Sequence, residues 1–192
     1  PGVYMVSLIV SGPDGSDTLT EPAYITVHEP GSRVTQDLQV LYTFEEGSGT
    51  TVSDVSGVGT PLDLTIDDEN AISWGEGYLS IDSATIASSG VAATKVIDAA
   101  QASEEITIEA WVKPANLTQD GPARIVTLSA NTGNRNFTLG QHTDFYNVRL
   151  RTTTTGDNGK NPPVSTPSGS LTTDLTHVVY TRDAAGLARV YL

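Results

Sequence analysis

The chain of 192 residues contains no cysteine. This absence excludes disulfide bonds, thiol catalysis, cysteine-ligated zinc and c-type haem attachment. A β sandwich of this size can be stable through its core alone, so the lack of disulfides does not argue for the cytoplasm. No apolar run is long enough to span a bilayer, and no stretch has the pattern of a signal peptide. We therefore expect no membrane insertion.

Basic residues are scarce in the first part of the chain. Residues 1–110 hold 18 acidic residues against two basic ones, a net charge of −16. Residues 111–192 hold five acidic and eight basic residues, a net charge of +3, and the whole chain carries −13. A chain this acidic repels nucleic acid and favours solubility or cation binding. We expect no nucleic-acid partner, and a solvated acidic surface is the simplest interpretation of the charge.

Short alternating runs between glycine- and proline-rich turns predict an all-β protein, an antiparallel β-sandwich. The predicted strands lie near residues 38–44, 62–66, 77–81, 106–113, 124–129, 136–140, 147–154, 175–182 and 187–192. The only stretch that favours a helix is 92–102, and its β-branched pair Val96-Ile97 weakens that prediction. Residues 160–170 contain three prolines and predict a long polar loop.

The first 37 residues form a separate part of the sequence. Alternation over residues 3–10, a Gly-Pro-Asp-Gly turn and a second run over 23–27 predict a β-hairpin. This pattern resembles the last two strands of a PKD-type immunoglobulin-like domain. Two strands alone are not stable in water, so we expect residues 1–28 to be the C-terminal part of such a domain. Residues 29–37 have the composition of a linker.

The stretch Val40–Gly57 opens the second part of the chain. It begins as a strand and breaks into an acidic corner, Glu45-Glu46-Gly47-Ser48-Gly49, where glycine permits positive φ. This stretch resembles the opening of LamG-like jelly-roll domains of the concanavalin A-like superfamily. The resemblance continues in Ile-Thr-Ile-Glu-Ala-Trp-Val-Lys-Pro at 106–114, and in the runs 124–129, 136–140 and 177–182.

The resemblance implies a jelly-roll domain over residues 38–192. In the family, the strand predicted at the C-terminus runs into further strands that close both sheets. We therefore expect a domain that lacks its last strands, with an open sheet edge suited to self-assembly by strand addition.

Trp111 is the first candidate ligand-binding residue. It shares a predicted strand face with Thr107, Glu109 and Lys113, and a Trp among polar side chains suits stacking against a sugar ring. The family usually has a Trp here, and packing beneath a covering loop is the more frequent role. Trp74 is predicted to plug the rim of the sandwich. His177 is predicted to be a structural strand residue.

Arg149 and Arg151 lie on one face of a predicted strand, with Tyr146 close in sequence. They form a basic, aromatic-containing region in an acidic chain. Arginine forks bind carboxylates, including those of acidic sugars or of neighbouring modules. Cross-strand ion pairs are the common alternative and contribute little stability. The candidate ligand-binding residues are thus Trp111, Tyr146, Arg149 and Arg151.

Acidic residues cluster in two stretches, at the glycine corner over 45–54 and at 63–69, and predict a structural calcium site. Calcium takes six to eight oxygen ligands, which acidic rim loops supply, and the resemblance implies such a site at the rim of related jelly rolls. No EF-hand spacing is present, so solvated loop carboxylates are the alternative. The candidate ligands are Glu46, Asp54, Asp67, Asp68 and Glu69.

Catalysis is not expected. A glycosidase needs two carboxylates facing each other across a cleft, and the Glu-x-Asp-x-x-Glu strand that hydrolases of this superfamily often show is missing. The sequence instead favours an extracellular or cell-surface binding and adhesion module of a larger, bacterial protein. Its predicted partners are carbohydrate or neighbouring protein modules. The alternatives are a structural subunit that assembles through its sheet edges and an accessory domain of a larger enzyme.

Overall fold

The computed structural model describes residues 2–13, 15–27 and 34–192, and the chain divides into two compact units, Pro1–Leu38 and Gln39–Leu192. The first unit is an antiparallel hairpin of β1 (Gly2–Gly12) and β2 (Gly15–Val27). Its register places Gly12 opposite Gly15, so the predicted turn is confirmed. Both strands are longer than predicted. The linker predicted at 29–37 lies partly outside the described residues, and the PKD-type assignment stays a prediction.

The second unit consists of short strands and one helix. The elements are β3 (Thr51–Val52), β4 (Leu64–Ile66), β5 (Ile72–Gly75), β6 (Tyr78–Ile81), β7 (Ala87–Ser88), α1 (Thr94–Ser103), β8 (Ile106–Val112), β9 (Ala123–Ser129), β10 (Arg135–His142), β11 (Phe145–Leu150), β12 (Val164–Ser165), β13 (Thr176–Arg182) and β14 (Ala188–Tyr191). Two 3-10 turns lie at Glu69–Ala71 and Asp157–Gly159. No helix in the described part of the chain is long and apolar enough to cross a membrane.

Two antiparallel sheets form the sandwich. One has the strand order β12-β11-β10-β9 and the other β14-β13-β8. The smaller sheets β3-β4-β7 and β5-β6 lie earlier in the same unit. The predicted all-β fold is therefore confirmed, and the predicted helix is confirmed at Thr94–Ser103.

The core lies between the inner faces of the two sheets. Alternation in β10 and β11 directs Phe137, Leu139, Tyr146 and Val148 inward, all fully buried or nearly so. From the facing sheet, β13 contributes Val178 and Tyr180, and the Phe137 and Tyr180 rings lie 5.6 Å apart. Burial of these large apolar side chains is the main stabilising contribution to the sandwich.

The predicted strand at 38–44 is wrong, because the backbone of this segment bonds to a loop instead of a neighbouring strand. The Leu41 amide donates to the Asp54 carboxylate, and the Leu41 carbonyl accepts from Val55. Phe44 has a positive φ of 56°, which ends the extended run. The predicted strand at 147–154 ends earlier, at Leu150. The sequence predicted an extended run at Thr51–Val52, which is β3, whereas the short strands β5, β7 and β12 were not predicted.

Candidate functional site

The outer face of the sheet β14-β13-β8 carries an exposed aromatic side chain among polar ones. In β8 the side chains alternate between half-buried and exposed, and the exposed positions are Thr107, Glu109 and Trp111. The antiparallel register places His177 of β13 directly opposite Trp111. Residues opposite each other on one sheet face have side chains close enough to interact. The fold therefore brings together two residues that are 66 positions apart in sequence.

Trp111, His177 and Glu109 form a stacked, hydrogen-bonded group. The Trp111 indole and the His177 imidazole lie with ring centroids 4.6 Å apart and planes inclined by 11°. His177 Nε2 lies 3.2 Å from Glu109 Oε2. The carboxylate thus orients the imidazole, and the imidazole covers one face of the indole. Trp111 is 64% exposed, which leaves its other face open to solvent. We call this group the Trp111 platform.

This exposure corrects the expectation that Trp111 packs beneath a loop. Its position follows from strand alternation, because Ala110 and Val112 take the inward positions on β8. Trp74, predicted to plug the rim, is partly buried in β5, and its Nε1 donates to the Gly49 carbonyl over 2.9 Å. Trp74 therefore fixes the glycine corner between residues 47 and 49.

Arg149 and Arg151 lie away from the Trp111 platform. Arg149 is paired with Thr138 on the outer face of the sheet β12-β11-β10-β9, while its neighbours Val148 and Leu150 point to the core. The two sheets pack through their inner faces, so their outer faces lie on opposite sides of the sandwich. Arg151 Nη2 lies 3.6 Å from Asp157 Oδ1. The structure does not bring the predicted arginines together with Trp111.

Tyr146 was wrongly predicted to contact a ligand beside the arginines. Its side chain is fully buried in the core, on the opposite side of β11 from Arg149. Burial raises the pKa of its phenol. The correction follows from the period of two in a strand: residue 146 points inward with Val148, whereas residue 149 points outward.

The predicted calcium ligands lie in two separate places. Glu46 and Asp54 hold the corner after residue 44, where Glu46 Oε1 accepts the Ser53 amide over 2.7 Å. Asp67, Asp68 and Glu69 lie at the next turn, and Asp68 Oδ1 caps the 3-10 turn by accepting the Asn70 amide over 3.0 Å. Across the described residues, no group of three or more acidic or histidine side chains is placed to hold a metal ion.

Asp54 is the most fully engaged of these carboxylates. Its side chain is completely buried, and Lys95 of α1 reaches Oδ2 with its ammonium at 2.5 Å. Three backbone amides, those of Leu41, Ser56 and Leu62, also donate to it at 3.0–3.1 Å. Burial raises the pKa of Asp54, but Lys95 and the amide donors outweigh it and hold that pKa well below its usual range. The Lys95 ammonium thus supplies the positive charge that balances the Asp54 carboxylate.

A laminin G family model, described as Concanavalin A-like lectin/glucanases superfamily, matches residues 85–192, more than half of the chain. The chain belongs to this family. No curated protein and no solved structure matched it in the two other comparisons. The matched region of the laminin G domain includes α1 and all strands from β8 to β14, and so both sheets of the sandwich. Laminin G-like domains are typically non-catalytic binding modules, and the wider superfamily also includes glycosidases.

The sequence did not predict the contacts that two residues of this laminin G domain make at the candidate sites. His177 was predicted to be structural, yet it stacks against Trp111. Lys95 was considered only as a charge, yet it pairs with Asp54. The alternation of β8 and β13 indicates that Trp111 and His177 each point outward. Their juxtaposition depends on the register of the two strands, which sequence alone does not specify.

Proposed function

We propose that this laminin G domain is a non-catalytic carbohydrate-binding module, and that the Trp111 platform is its sugar-stacking surface. The observation that carries the proposal is the exposed Trp111 indole, which stacks on His177 with one face and leaves the other face open to solvent. An aromatic face buries the apolar face of a sugar ring, while adjacent polar groups bond to its hydroxyls. Glu109 and Thr107 supply such groups on the same strand face.

The platform has the preorganisation that a weakly interacting ligand needs. A ring that is already stacked and hydrogen-bonded loses little rotamer freedom on binding, so more of the contact energy appears as affinity. Membership of a family of binding modules supports the same function. The two compact units of the chain and its acidic composition support a place in a larger extracellular or cell-surface adhesion protein.

Titration with a panel of neutral tetrasaccharides tests the proposal. We expect the intrinsic fluorescence to change on binding, because Trp111 is one of two tryptophans and is exposed. Trp111→Ala should weaken binding about tenfold or more, the usual cost of truncating a central aromatic anchor. Trp111→Phe, which keeps a stacking ring, should retain part of the affinity.

Tyr78→Ala is the matched control, because Tyr78 is an exposed aromatic residue on β6, with 57% of its surface accessible. This variant should bind as the wild type does. Equal binding by the wild type and Trp111→Ala would exclude the platform as the sugar site. Failure of every sugar to bind would contradict the proposed function itself.

A second candidate function is assembly by strand addition. The supporting observation is that β14 borders the sheet β14-β13-β8 and pairs with β13 alone among the described strands. An unpaired strand edge offers backbone donors and acceptors to another chain. If the wild type assembles through β14, replacing Val190 by proline should reduce the mass measured by light scattering to that of a monomer. If the wild type is already a monomer, the two proteins should have the same mass.

A further inference from the structure

The outer face of the sheet β12-β11-β10-β9, opposite the Trp111 platform, carries a group of arginines. Arg135 pairs with Ser129 of β9, and Arg149 of β11 pairs with Thr138 of β10. A bulge at residue 136 brings Arg135 onto the same face as Arg149. Arg124 lies on this face as well, opposite Gly140. Three guanidinium groups from three neighbouring strands thus share one surface.

Within the described ranges, no acidic side chain pairs with Arg135 or Arg149. Among the ion pairs of the described residues, Arg151 and Arg189 pair with Asp157 and Asp183, whereas neither Arg135 nor Arg149 takes part in any. Arg135 Nε is buried without a hydrogen-bond partner. Burial and the charge of Arg135 both lower the pKa of Arg149. Two close cations of this kind destabilise each other until an anion neutralises them.

The surroundings of Arg149 are polar and already ordered. Asn147 Oδ1 accepts from Arg149 Nε over 3.0 Å, and Asn147 Nδ2 donates to Ser165 Oγ over 2.9 Å. Thr138 is completely buried beside them and lies 3.2 Å from the Thr127 hydroxyl. Because Arg149 Nε is used in this bond, its orientation is fixed while its terminal nitrogens remain available as donors.

We propose that this face binds the carboxylate of an acidic sugar through Arg135 and Arg149. A planar carboxylate accepts two parallel bonds from a guanidinium, and the ligand charge compensates the two arginines. The half-buried hydroxyl of Ser129 and the exposed hydroxyl of Ser165 lie on the same face, and they match sugar hydroxyls better than an apolar partner. The inference rests on the proposed carbohydrate-binding function and adds the chemical class of the sugar, at a second site on the other side of the sandwich.

Calorimetric titration with tetragalacturonate, a linear uronic-acid tetrasaccharide, tests the site. The matched probe is its methyl ester, which has the same length and linkage but no charge. We expect the acid to bind and the ester to bind at least about tenfold more weakly, with affinity for the acid falling as sodium chloride is raised. Arg149→Gln and Arg135→Gln should each lower the affinity for the acid about tenfold or more. Arg149→Lys should recover only part of it, because lysine keeps the charge but not the fork.

Arg189→Gln is the charge-matched control, because it removes one positive charge from β14 in the opposite sheet. It should bind tetragalacturonate as the wild type does. Circular dichroism melting verifies the fold of each variant. Equal losses in Arg149→Gln and Arg189→Gln would overturn the site in favour of non-specific attraction. Equal affinity for tetraglutamate would overturn the assignment to a sugar, and binding of a sulfated tetrasaccharide alone would overturn the assignment to a carboxylate.

The two sites can fail separately. Loss of neutral-sugar binding in Trp111→Ala with no binding of tetragalacturonate by the wild type would refute the arginine site and leave the proposed function intact. Tetragalacturonate binding that depends on Arg149, together with neutral-sugar binding that is unchanged in Trp111→Ala, would support the arginine site and refute the platform. Absence of binding to both kinds of sugar would refute both.

Discussion

Replacing Lys95 by methionine should destabilise the laminin G domain strongly. Lys95 is the only side-chain cation that contacts the buried Asp54 carboxylate in the described residues. Its side chain is 16% exposed, and its ammonium also donates to the Val58 carbonyl over 2.8 Å. Methionine keeps most of the length and apolar surface of lysine, so the change removes mainly the charge. It leaves Asp54 as a buried anion held by amides alone.

The expected loss follows from the burial of the pair. Removing one partner of a buried ion pair typically costs about 3–5 kcal/mol, because the remaining charge is uncompensated. The amide donors to Asp54 stay in place, so we expect about 3 kcal/mol, the lower end of that range. For a domain of this size, such a loss corresponds to a fall in Tm of about 6–12 °C.

The pH dependence provides a second signature. The pKa of Asp54 in the folded wild type is lower than in the unfolded chain, so its contribution to stability is complete above about pH 4 and falls at lower pH. Lys95→Met removes a cause of that lowering and raises the folded-state pKa. The difference in stability between wild type and variant should therefore be largest near neutral pH and shrink towards acid pH.

Urea unfolding followed by circular dichroism, at several pH values, measures both effects. Lys113→Met is the control, because Lys113 is exposed on the loop after β8 and should change stability by less than about 0.5 kcal/mol. A loss below about 1 kcal/mol in Lys95→Met, or a loss that does not vary with pH, would refute the structural role of the pair.

Three further predictions concern the same domain. Asp54→Asn should destabilise the protein equally with and without calcium, since Lys95 and backbone amides already use its oxygens; a calcium-dependent difference in Tm would make Asp54 a metal ligand. Gly159→Ala should cost more than about 1 kcal/mol in urea unfolding, because Gly159 has φ +60° and an added Cβ would lie 2.4 Å from the Leu150 carbonyl carbon. An unchanged unfolding midpoint would contradict that close approach. Phe137→Ala should cost about 3–5 kcal/mol by opening a cavity in the core, and a loss below about 1 kcal/mol would mean that the two sheets do not pack through this residue.

Strand periodicity predicted the sandwich because it depends on local sequence. The alternation of Ile106, Ile108 and Ala110 with exposed residues identified β8 to within a residue. The same rule failed at residues 38–44, where the pattern is present but the backbone bonds to the Asp54 loop. Alternation reports which side of a strand is buried. It does not report whether another strand is available to pair with it.

The candidate sites depended only in part on information that the sequence contains. Tyr146 and Arg149 are close in sequence but lie on opposite sides of β11, a separation that alternation alone predicts once the strand is placed. Trp111 and His177 are distant in sequence and meet through strand register. Arg135 reaches the face of Arg149 only because of a bulge in β10. A bulge shifts side chains between faces, and it leaves no dependable pattern in a single sequence.

The structure also gives the acidic composition a specific meaning. Several carboxylates accept backbone amides within turns: Asp54 at the first corner, Asp68 at a 3-10 turn, Asp144 from Gly169 and Asp183 from Leu187. These acids stabilise the loops that connect the strands, because they accept hydrogen bonds from backbone amides that have no partner within a β-sheet. Part of the negative charge therefore serves to hold the loops between the strands in place. Among the described residues, the arginines of β10 and β11 form no ion pair, and this contrast with the bonded carboxylates is the strongest reason to expect an external anion there.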